Sequence, residues 1–416
     1  MITTDKRKKT EKVFLLFALY DKTDISTRIE ELSSLVKTAG AEVVGSEYQF
    51  IREVCPATIF GKGKLEQFKT EIREANVDTV IFDGTLSPSK TQNLSDILDI
   101  KVIDRTTLIL DIFAINATTA EGKLQVELAQ LEYLLPRLKG QGKALSRLGG
   151  GIGTRGPGET RLETNKRYIR NRINSLKNSL NELDNRRNAV GERRKKNGAI
   201  VVALAGYTNA GKSTLLNLLS GSDVIAEDKL FATLDPTARK VKIGDFNVIF
   251  VDTVGFIRDI PTSLIEAFRS TLQSVENADV VLNVCDVSSS NLIEQAEVAN
   301  NEIIRIKPTA KIIKVYNKAD KISYFEFLPT DGIIISAKQN KGIDALVAAI
   351  KKEIESQFEQ IKIIVPHEKI GEFYKLTQFL ENYKIDYGDD GAEISFTIRK
   401  SVYPKIRESI KNIRVN

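Results

Sequence analysis

Eight consecutive residues, Gly206 to Ser213, have the types and spacing of a phosphate-binding loop. They read Gly-Tyr-Thr-Asn-Ala-Gly-Lys-Ser and match the pattern G-x-x-x-x-G-K-[ST]. Glycines let backbone N–H groups approach phosphate oxygens, and the start of the following helix adds the positive end of its dipole. We expect the Lys212 ammonium to reach the β- and γ-phosphates and the Ser213 hydroxyl to bind Mg²⁺. The alternative is a chance glycine-rich turn. The predicted nucleotide contacts here are Gly206, Tyr207, Thr208, Asn209, Ala210, Gly211, Lys212, Ser213 and Thr214.

A second group of residues is suited to the metal and to the terminal phosphate. Asp252-Thr253-Val254-Gly255 ends an apolar strand, which is the expected place for the aspartate on the Mg²⁺ side, acting through water. Gly255 has no side chain, so its amide is free to approach the γ-phosphate. Thr233 lies in Phe-Ala-Thr-Leu-Asp-Pro, a predicted switch segment, and would complete the Mg²⁺ shell only with GTP. Lys212, Thr233 and Gly255 are the candidate catalytic residues.

A third group predicts selection of guanine. Asn317-Lys318-Ala319-Asp320 follows an apolar strand, and an Asp320 carboxylate accepts hydrogen bonds from both N1–H and the 2-amino group of guanine. Adenine does not offer that pair of donors and leaves the carboxylate unpaired. Ser336-Ala337-Lys338 follows the next strand and resembles a loop that contacts the base. Five motifs in this order predict a GTP-binding site.

Two positions bear on hydrolysis. In Ras-like enzymes a glutamine that orients water follows the Asp-x-x-Gly glycine, but here that position is Phe256. Phe256 has no hydrogen-bonding group, so we expect slow intrinsic hydrolysis unless a partner or an ion assists. Asn209 in the phosphate loop is a candidate K⁺ ligand. Its other interpretation is loop structure, because asparagine suits tight turns.

The elements that must position these residues form an alternating strand and helix pattern over residues 198–356. The apolar strand Ala199–Ala205 precedes the phosphate loop, and helix Ser213–Leu219 follows it. Residues 13–117 show a similar alternation. Their predicted strands are Val13–Tyr20, Glu42–Tyr48, Thr79–Asp83 and Lys101–Asp104, and their predicted helices are Arg28–Thr38, Lys64–Ala75 and Ser89–Leu98. Both regions therefore predict parallel sheets flanked by helices.

Between them the apolar period changes to heptads. Leu124, Leu128, Leu131, Leu135 and Leu138 form one seam, and Leu162, Ile169, Ile173, Leu176, Leu180, Leu183 and Val190 form another. We expect an antiparallel helical hairpin, with Pro136 ending or kinking the first arm. Its connection, residues 139–158, is rich in glycine and basic residues and contains no acid. It is interpreted either as a flexible linker or, with Arg147 and Arg155, as an RNA-contacting loop.

Charge and composition narrow the classes of function. The net charge is +6, from 61 basic and 55 acidic residues, and residues 137–196 alone contribute +12 from 17 basic and 5 acidic residues. Such a local basic segment is typical of binding to nucleic acid or to another anionic surface. The chain has 2 cysteines and 1 histidine, which excludes a disulfide framework and a histidine metal cluster. No apolar run reaches the length of a membrane span, so we expect a cytoplasmic protein.

Four domains are therefore predicted in an α/β chain. They are an N-terminal α/β domain (1–120), a helical hairpin with its basic loop (121–197), a P-loop GTPase domain (198–356) and a small α+β domain (357–416). The last is expected to contain strand Lys362–Val365, helix Glu372–Tyr383, a hairpin over Ile385–Ile398 and helix Tyr403–Ile410.

The sequence resembles the HflX family of ribosome-associated GTPases. The resemblance rests on GGGIGTRGPGETRLE at residues 149–163, LQVELAQLEYLLPRL at 124–138, FATLDPT at 231–237 and DTVGF at 252–256. After the glycine-rich signature the family continues with Gln and an Asp-Arg-Arg triplet, where this chain has Arg161 and Asn165-Lys166-Arg167.

The resemblance implies a function and partners. Members of the family bind the large (50S) ribosomal subunit and separate stalled or idle 70S ribosomes, notably under stress, with an N-terminal domain that reaches toward ribosomal RNA. We expect GTP and GDP as ligands, Mg²⁺ as cofactor, and a monomer that acts on the ribosome. Some members are also credited with ATP binding outside the GTPase domain. The alternative is a GTP-controlled RNA-binding module that acts as a ribosome-assembly checkpoint.

Overall fold

A computed structural model of the 416-residue chain describes residues 10–20, 25–138, 157–196, 200–221, 231, 237–253, 255–258, 269–322, 329–388 and 391–414. The chain divides into two compact units. The first unit comprises Met1–Leu183, Glu227–Asp235 and Ile257–Thr271, and the second comprises Asp184–Ala226, Pro236–Phe256 and Leu272–Asn416. This division does not test the four domain ranges predicted from the sequence, which stay predictions.

The first unit is built around a four-stranded parallel sheet with the order β2-β1-β3-β4. Its strands are β1 (Lys12–Leu19), β2 (Glu42–Phe50), β3 (Thr79–Phe82) and β4 (Lys101–Asp104). Its helices are α1 (Ile25–Thr38), α2 (Lys62–Glu74), α3 (Pro88–Leu98) and α4 (Arg105–Asn116). The four strands and the first three helices were predicted, and α4 was not.

Alternation along β1 explains how both faces of this sheet are covered. Phe14, Leu16 and Ala18 point to one face, where they pack with the apolar residues of α2 and α3. Helices α1 and α4 contact each other and strands of the sheet. The Gly61–Lys64 segment begins α2, with Gly61 as its N-cap.

Two further helices carry the predicted heptad seam. They are α5 (Ala120–Arg137) and α6 (Pro157–Lys196), and α5 ends one residue after Pro136. Buried Leu128, Ile173 and Leu176 form the centre of their apolar contact. Ion pairs flank it: Glu127 with Arg172 at 2.6 Å and Glu132 with Lys177 at 2.7 Å. The connection over residues 139–156 lies outside the described residues.

The second unit contains a six-stranded sheet with the order β10-β9-β8-β5-β7-β6, and among these described strands only β6 is antiparallel to its neighbour. Its strands are β5 (Ile200–Gly206), β6 (Ala238–Ile243), β7 (Phe246–Asp252), β8 (Val280–Asp286), β9 (Ile312–Asn317) and β10 (Ile333–Ile334). Its helices are α7 (Lys212–Ser220), α8 (Arg269–Glu276), α9 (Leu292–Ile306) and α10 (Ile343–Ser356). Central β5 and β8 are nearly continuous apolar runs, as expected of strands covered on both faces.

The C-terminal part of the second unit is a three-stranded antiparallel sheet with the order β11-β13-β12. It comprises β11 (Phe358–Val365), α11 (Ile370–Leu376), β12 (Asn382–Gly388), β13 (Gly391–Arg399) and α12 (Tyr403–Ile413). The predicted hairpin is confirmed. The predicted helix Glu372–Tyr383 is too long, because Asn382 and Tyr383 pair with Thr397 and Phe396 in the sheet.

Among the described residues, none of the helices combines the length and the apolar character needed to cross a bilayer.

Candidate functional site

The phosphate loop joins the carboxyl end of β5 to the start of α7, as the motif requires. Gly206 has φ +143°, and a Cβ there would lie 2.1 Å from the Val284 carbonyl oxygen. Gly211 has φ +89°, and a Cβ there would lie 2.3 Å from Asn317 Nδ2. Both positions combine a backbone conformation that favours glycine with a neighbour that leaves no room for a side chain.

Lys212 is a buried cation, with a relative exposure of 7%. Its Nζ donates hydrogen bonds to the carbonyl oxygens of Tyr207 at 2.8 Å and Gly206 at 3.3 Å. Burial lowers the pKa of Lys212 to about 8, although the nearby carboxylate of Asp252 opposes the shift. A buried ammonium held mainly by carbonyl oxygens is well suited to receive phosphate oxygens.

Ser213 and Asp252 meet at the start of α7. The Ser213 hydroxyl donates to Asp252 Oδ2 at 2.6 Å, and Asp252 follows from the end of β7, where it is 1% exposed. Hydroxyl and carboxylate oxygens are the ligands that Mg²⁺ prefers. The described residues contain no group of three or more His, Cys, Asp or Glu side chains able to hold a metal. The donor set therefore fits an ion bound chiefly through phosphate, one hydroxyl and water.

Gly255 and Phe256 are packed directly against the phosphate loop. A Cβ on Gly255 would lie 2.7 Å from Thr208 Cα and 2.9 Å from Lys212 Nζ. The Phe256 N–H donates to the Gly206 carbonyl at 3.0 Å, and the Phe256 carbonyl accepts from the Thr208 N–H at 2.7 Å. The Phe256 side chain is 4% exposed and packs in an apolar cluster with Ala203. Phe256 is thus a core residue as well as one without a hydrogen-bonding side chain.

Asn317 ties three segments together. Its Nδ2 donates to the Ala210 carbonyl at 3.0 Å, and its Oδ1 accepts from the Ala337 N–H at 3.0 Å. It is 2% exposed. Both ends of the Asn317 amide are hydrogen-bonded to backbone groups. Asn317 therefore holds the phosphate loop beside the two loops predicted to contact the base.

Asp320 lies beside Ser336 and is half-buried. The Ser336 hydroxyl donates to Asp320 Oδ1. This hydrogen bond, followed by the neighbouring Lys338 and Lys321, lowers the pKa of Asp320. The carboxylate is therefore ionised at neutral pH, which is the state that accepts two guanine donors.

Lys318 is positioned by an acid that sequence reasoning missed. It has φ +65° and forms a 2.7 Å ion pair with Asp286 at the end of β8. The only signal for Asp286 is its place after an apolar strand, at the same sheet edge as the motifs.

The remaining predicted residues fall into two groups. Asn209 is exposed with φ +60°, and the buried Thr208 Oγ1 has no hydrogen-bond partner among the described residues. Four predicted residues lie outside the described residues: Arg147, Arg155, Thr233 and Val254. The structure otherwise brings the phosphate, metal and base motifs together at the carboxyl edge of one sheet, including Ala210, Thr214, Thr253 and Lys338.

Three family models match successive parts of the chain. Residues 26–114 match the GTP-binding GTPase N-terminal region, residues 116–194 match the GTP-binding GTPase middle region, and residues 201–318 match the 50S ribosome-binding GTPase model.

Named relatives cover almost the whole chain. GTPase HflX of Caldanaerobacter subterraneus subsp. tengcongensis is 45% identical over 404 residues, which cover 97% of this chain and 94% of the relative. GTPase HflX of Escherichia coli K12 is 36% identical over 389 residues, which cover 90% of each. A solved GTP-binding protein of Sulfolobus solfataricus in complex with GDP is 25% identical, with a TM-score of 0.43 and coverage of 83% of this chain and 99% of that one.

Proposed function

This chain belongs to the HflX family and is a GTP-hydrolysing enzyme. From that premise we propose that it binds the large ribosomal subunit and separates stalled or idle ribosomes into subunits. The observation that supports ribosome binding is the match of residues 201–318 to the 50S ribosome-binding GTPase model. The basic segment 137–196, with a net charge of +12, supports contact with ribosomal RNA.

We propose a division of roles at the phosphate end of the site. Lys212, already buried beside the loop carbonyls, neutralises charge on the β- and γ-phosphates. Ser213 would hold Mg²⁺ directly and Asp252 would hold it through water, and the Ser213 hydroxyl lies beside the Asp252 carboxylate, 2.6 Å from Oδ2. When bound, Mg²⁺ neutralises charge that develops on the phosphate oxygens. Thr233 and the Gly255 amide are proposed to sense the γ-phosphate.

At the other end of the site, Asp320 is proposed to select guanine. Its low pKa keeps it ionised, and Asn317 fixes the surrounding loops through backbone hydrogen bonds. Lys318, Ser336, Ala337 and Lys338 complete the proposed base contacts.

Hydrolysis is proposed to depend on the ribosome, because Phe256 is buried and has no group that orients water. K⁺ beside Asn209 is a candidate second source of assistance, since that side chain is exposed at the loop. Replacing KCl by NaCl at equal ionic strength should then slow hydrolysis severalfold. Equal hydrolysis rates in the two salts would show that K⁺ does not assist hydrolysis.

The ribosome proposal is tested by sedimentation. Purified 70S ribosomes are mixed with the protein and GTP and separated on a sucrose gradient, and co-sedimentation with 30S, 50S and 70S particles is measured in each nucleotide state. Conversion of the 70S peak into subunits supports ribosome splitting. Stable binding without dissociation favours the alternative, a GTP-controlled RNA-binding module in subunit assembly.

Arg147 and Arg155 are proposed to contact RNA. Replacing both with alanine should weaken 50S binding and reduce the slope of its salt dependence, because fewer counterions are released. GTP affinity should not change. If the double variant binds 50S subunits with the affinity and the salt dependence of the parent protein, the loop is only a linker.

A further inference from the structure

One polar side chain of the phosphate loop is buried without a hydrogen bond. Thr208 is 6% exposed, and its Oγ1 has no hydrogen-bond partner among the described residues. A buried hydroxyl that forms no hydrogen bond lowers the stability of a fold, so folded proteins contain few such groups and each needs a reason. The reason at Thr208 must be sought in what its hydroxyl can bind.

The other buried serine and threonine hydroxyls of the nucleotide motifs have partners within the protein. Thr253 Oγ1 donates to the Leu204 carbonyl at 2.8 Å, and the Ser336 hydroxyl donates to Asp320. Both residues are at most 1% exposed. Those two hydroxyls hold the scaffold of the site together. The Thr208 hydroxyl does not contribute to that scaffold, which leaves it available to a ligand.

The main chain of Thr208 is fixed against the segment that follows Gly255. The Thr208 N–H donates to the Phe256 carbonyl at 2.7 Å, and the Phe256 N–H donates to the Gly206 carbonyl at 3.0 Å. The amide of Thr208 is therefore already used, and the hydroxyl is the donor that remains. Because the main chain is held in place, little conformational entropy is lost when this hydroxyl binds a ligand.

The Thr208 side chain lies beside Gly255 and Lys212. A Cβ built on Gly255 would lie 2.8 Å from Thr208 Cγ2 and 2.9 Å from Lys212 Nζ. Since Cγ2 and Oγ1 are bonded to the same carbon, rotation about one bond exchanges their directions. The hydroxyl and the ammonium are thus neighbours of the same point, beside the glycine whose amide is proposed to sense the γ-phosphate.

We propose that the Thr208 hydroxyl donates a hydrogen bond to an oxygen of the γ-phosphate and makes the site prefer GTP to GDP. This inference rests on the proposed roles of Lys212 and Gly255. When the Lys212 ammonium turns from the loop carbonyls to the phosphates, a γ-phosphate oxygen bound to it beside Gly255 comes within reach of Thr208. GDP lacks that phosphate, so the hydrogen bond forms with GTP and not with GDP. Hydrogen bonds to a charged phosphate oxygen are stronger than those between neutral groups.

The test measures the affinities of full-length variants for GDP and for a non-hydrolysable GTP analogue, both with Mg²⁺. Thr208→Val keeps the shape of the side chain and removes the hydroxyl. It should weaken binding of the analogue by about 10- to 100-fold, the range for a hydrogen bond to a charged group, and change GDP affinity by less than about twofold. Thr208→Ser keeps the hydroxyl and should bind the analogue within about threefold of the parent protein.

Chemical denaturation without nucleotide separates this role from a structural one. Thr208→Val should not lower the denaturation midpoint, because the hydroxyl that it removes has no partner among the described residues. The matched control is Thr58→Val in the first unit. Thr58 is 5% exposed, and its Oγ1 donates to the Phe60 carbonyl at 2.8 Å. This control should lower the denaturation midpoint and leave both nucleotide affinities unchanged.

Lys212→Ala separates this inference from the function on which it rests. If Lys212→Ala binds both nucleotides like the parent protein, the proposed phosphate site itself fails. If Lys212→Ala loses both nucleotides while Thr208→Val leaves analogue affinity unchanged, or weakens both nucleotides equally, the role of Thr208 is overturned. Loss of analogue binding by Thr208→Ser as large as that by Thr208→Val would also overturn it, because the hydroxyl would then not be the group that matters.

Discussion

The carboxyl edges of the first unit's sheet and the second unit's sheet differ in how their charged residues are paired. In the first unit Asp83 follows β3 and accepts 2.8 Å hydrogen bonds from both Arg28 and Arg105. Asp104 ends β4 and accepts from Arg137 at 3.3 Å and from the Leu86 N–H at 3.0 Å. Every carboxylate named here has charged or backbone donors of its own.

The corresponding edge of the second unit is different. Among the described residues, the donors of buried Lys212 meet only carbonyl oxygens, and buried Thr208 Oγ1 has no partner. The Gly206 carbonyl lies 3.3 Å from this cation, and a Cβ at Gly255 would lie 2.9 Å from it. An edge whose charges neutralise one another is structural, whereas an edge with a cation held by neutral groups is suited to an anion.

The strongest test of this contrast is Lys212→Ala. We expect GTP affinity to fall by about 10³-fold, since the phosphates lose a buried charge partner. The free energy of unfolding without nucleotide should not fall, because burying the ammonium is itself unfavourable. Titration calorimetry and chemical denaturation measure the two quantities. A variant that binds GTP like the parent protein would contradict the contrast.

Phe256→Gln tests the apolar cluster that packs against the phosphate loop of the second unit. Although this change restores the residue type used by Ras-like enzymes, we expect no faster hydrolysis, because the side chain at this position packs among Ala203, Ala205 and Val275. Placing an amide in that cluster should cost about 2–4 kcal/mol of unfolding free energy. Single-turnover hydrolysis and denaturation are measured on the same samples, with Phe256→Leu as the apolar control. Accelerated hydrolysis without destabilisation would show that the side chain reaches the phosphates.

Asp320→Asn tests the base-binding end of the edge. GTP affinity should fall by about 10²-fold and xanthine nucleotides should bind better than to the parent, since an amide presents a donor where a carboxylate accepts. Competition against a fluorescent GTP analogue gives both numbers, with ATP as the reference competitor. If ATP competes strongly for the parent protein, Asp320 does not select guanine.

Arg137→Met tests the structural edge. Arg137 bonds Asp104 and the Leu86 carbonyl and stacks on Tyr133, so its loss should lower the free energy of unfolding by about 1–3 kcal/mol. Nucleotide affinity should stay within about twofold of the parent. If nucleotide binding fell more than stability, the edge of the first sheet would also belong to a ligand site.

The two edges also differ in what the sequence reveals. Nucleotide-binding motifs have fixed local patterns, so Gly206, Lys212 and Asp252 could be predicted as nucleotide contacts from spacing alone. Asn317 was predicted as a base contact, yet its amide joins Ala210 to Ala337. That role depends on loops distant in the sequence and has no local signature.

Helix α4 was missed for a related reason. It begins directly after β4, where the Asp104 side chain accepts from the Thr107 N–H, and it is buried on so many sides that it shows no amphipathic period. The hydrogen bonds of Arg105 to the Arg258 carbonyl and of Asn116 to the Phe231 carbonyl join residues over 100 positions apart, which no local pattern can encode. The predicted helix Glu372–Tyr383 extends too far, because strand pairing outweighs helix periodicity at Asn382 and Tyr383.

We propose that this GTPase hydrolyses GTP slowly by itself and that the large ribosomal subunit accelerates the reaction. Single-turnover hydrolysis of GTP with and without purified 50S subunits tests it most directly, with Lys212→Ala as the inactive control. We predict a slow rate for the protein alone and acceleration by at least about tenfold with 50S, because a partner must supply what Phe256 does not. A fast rate that 50S subunits leave unchanged would contradict the account.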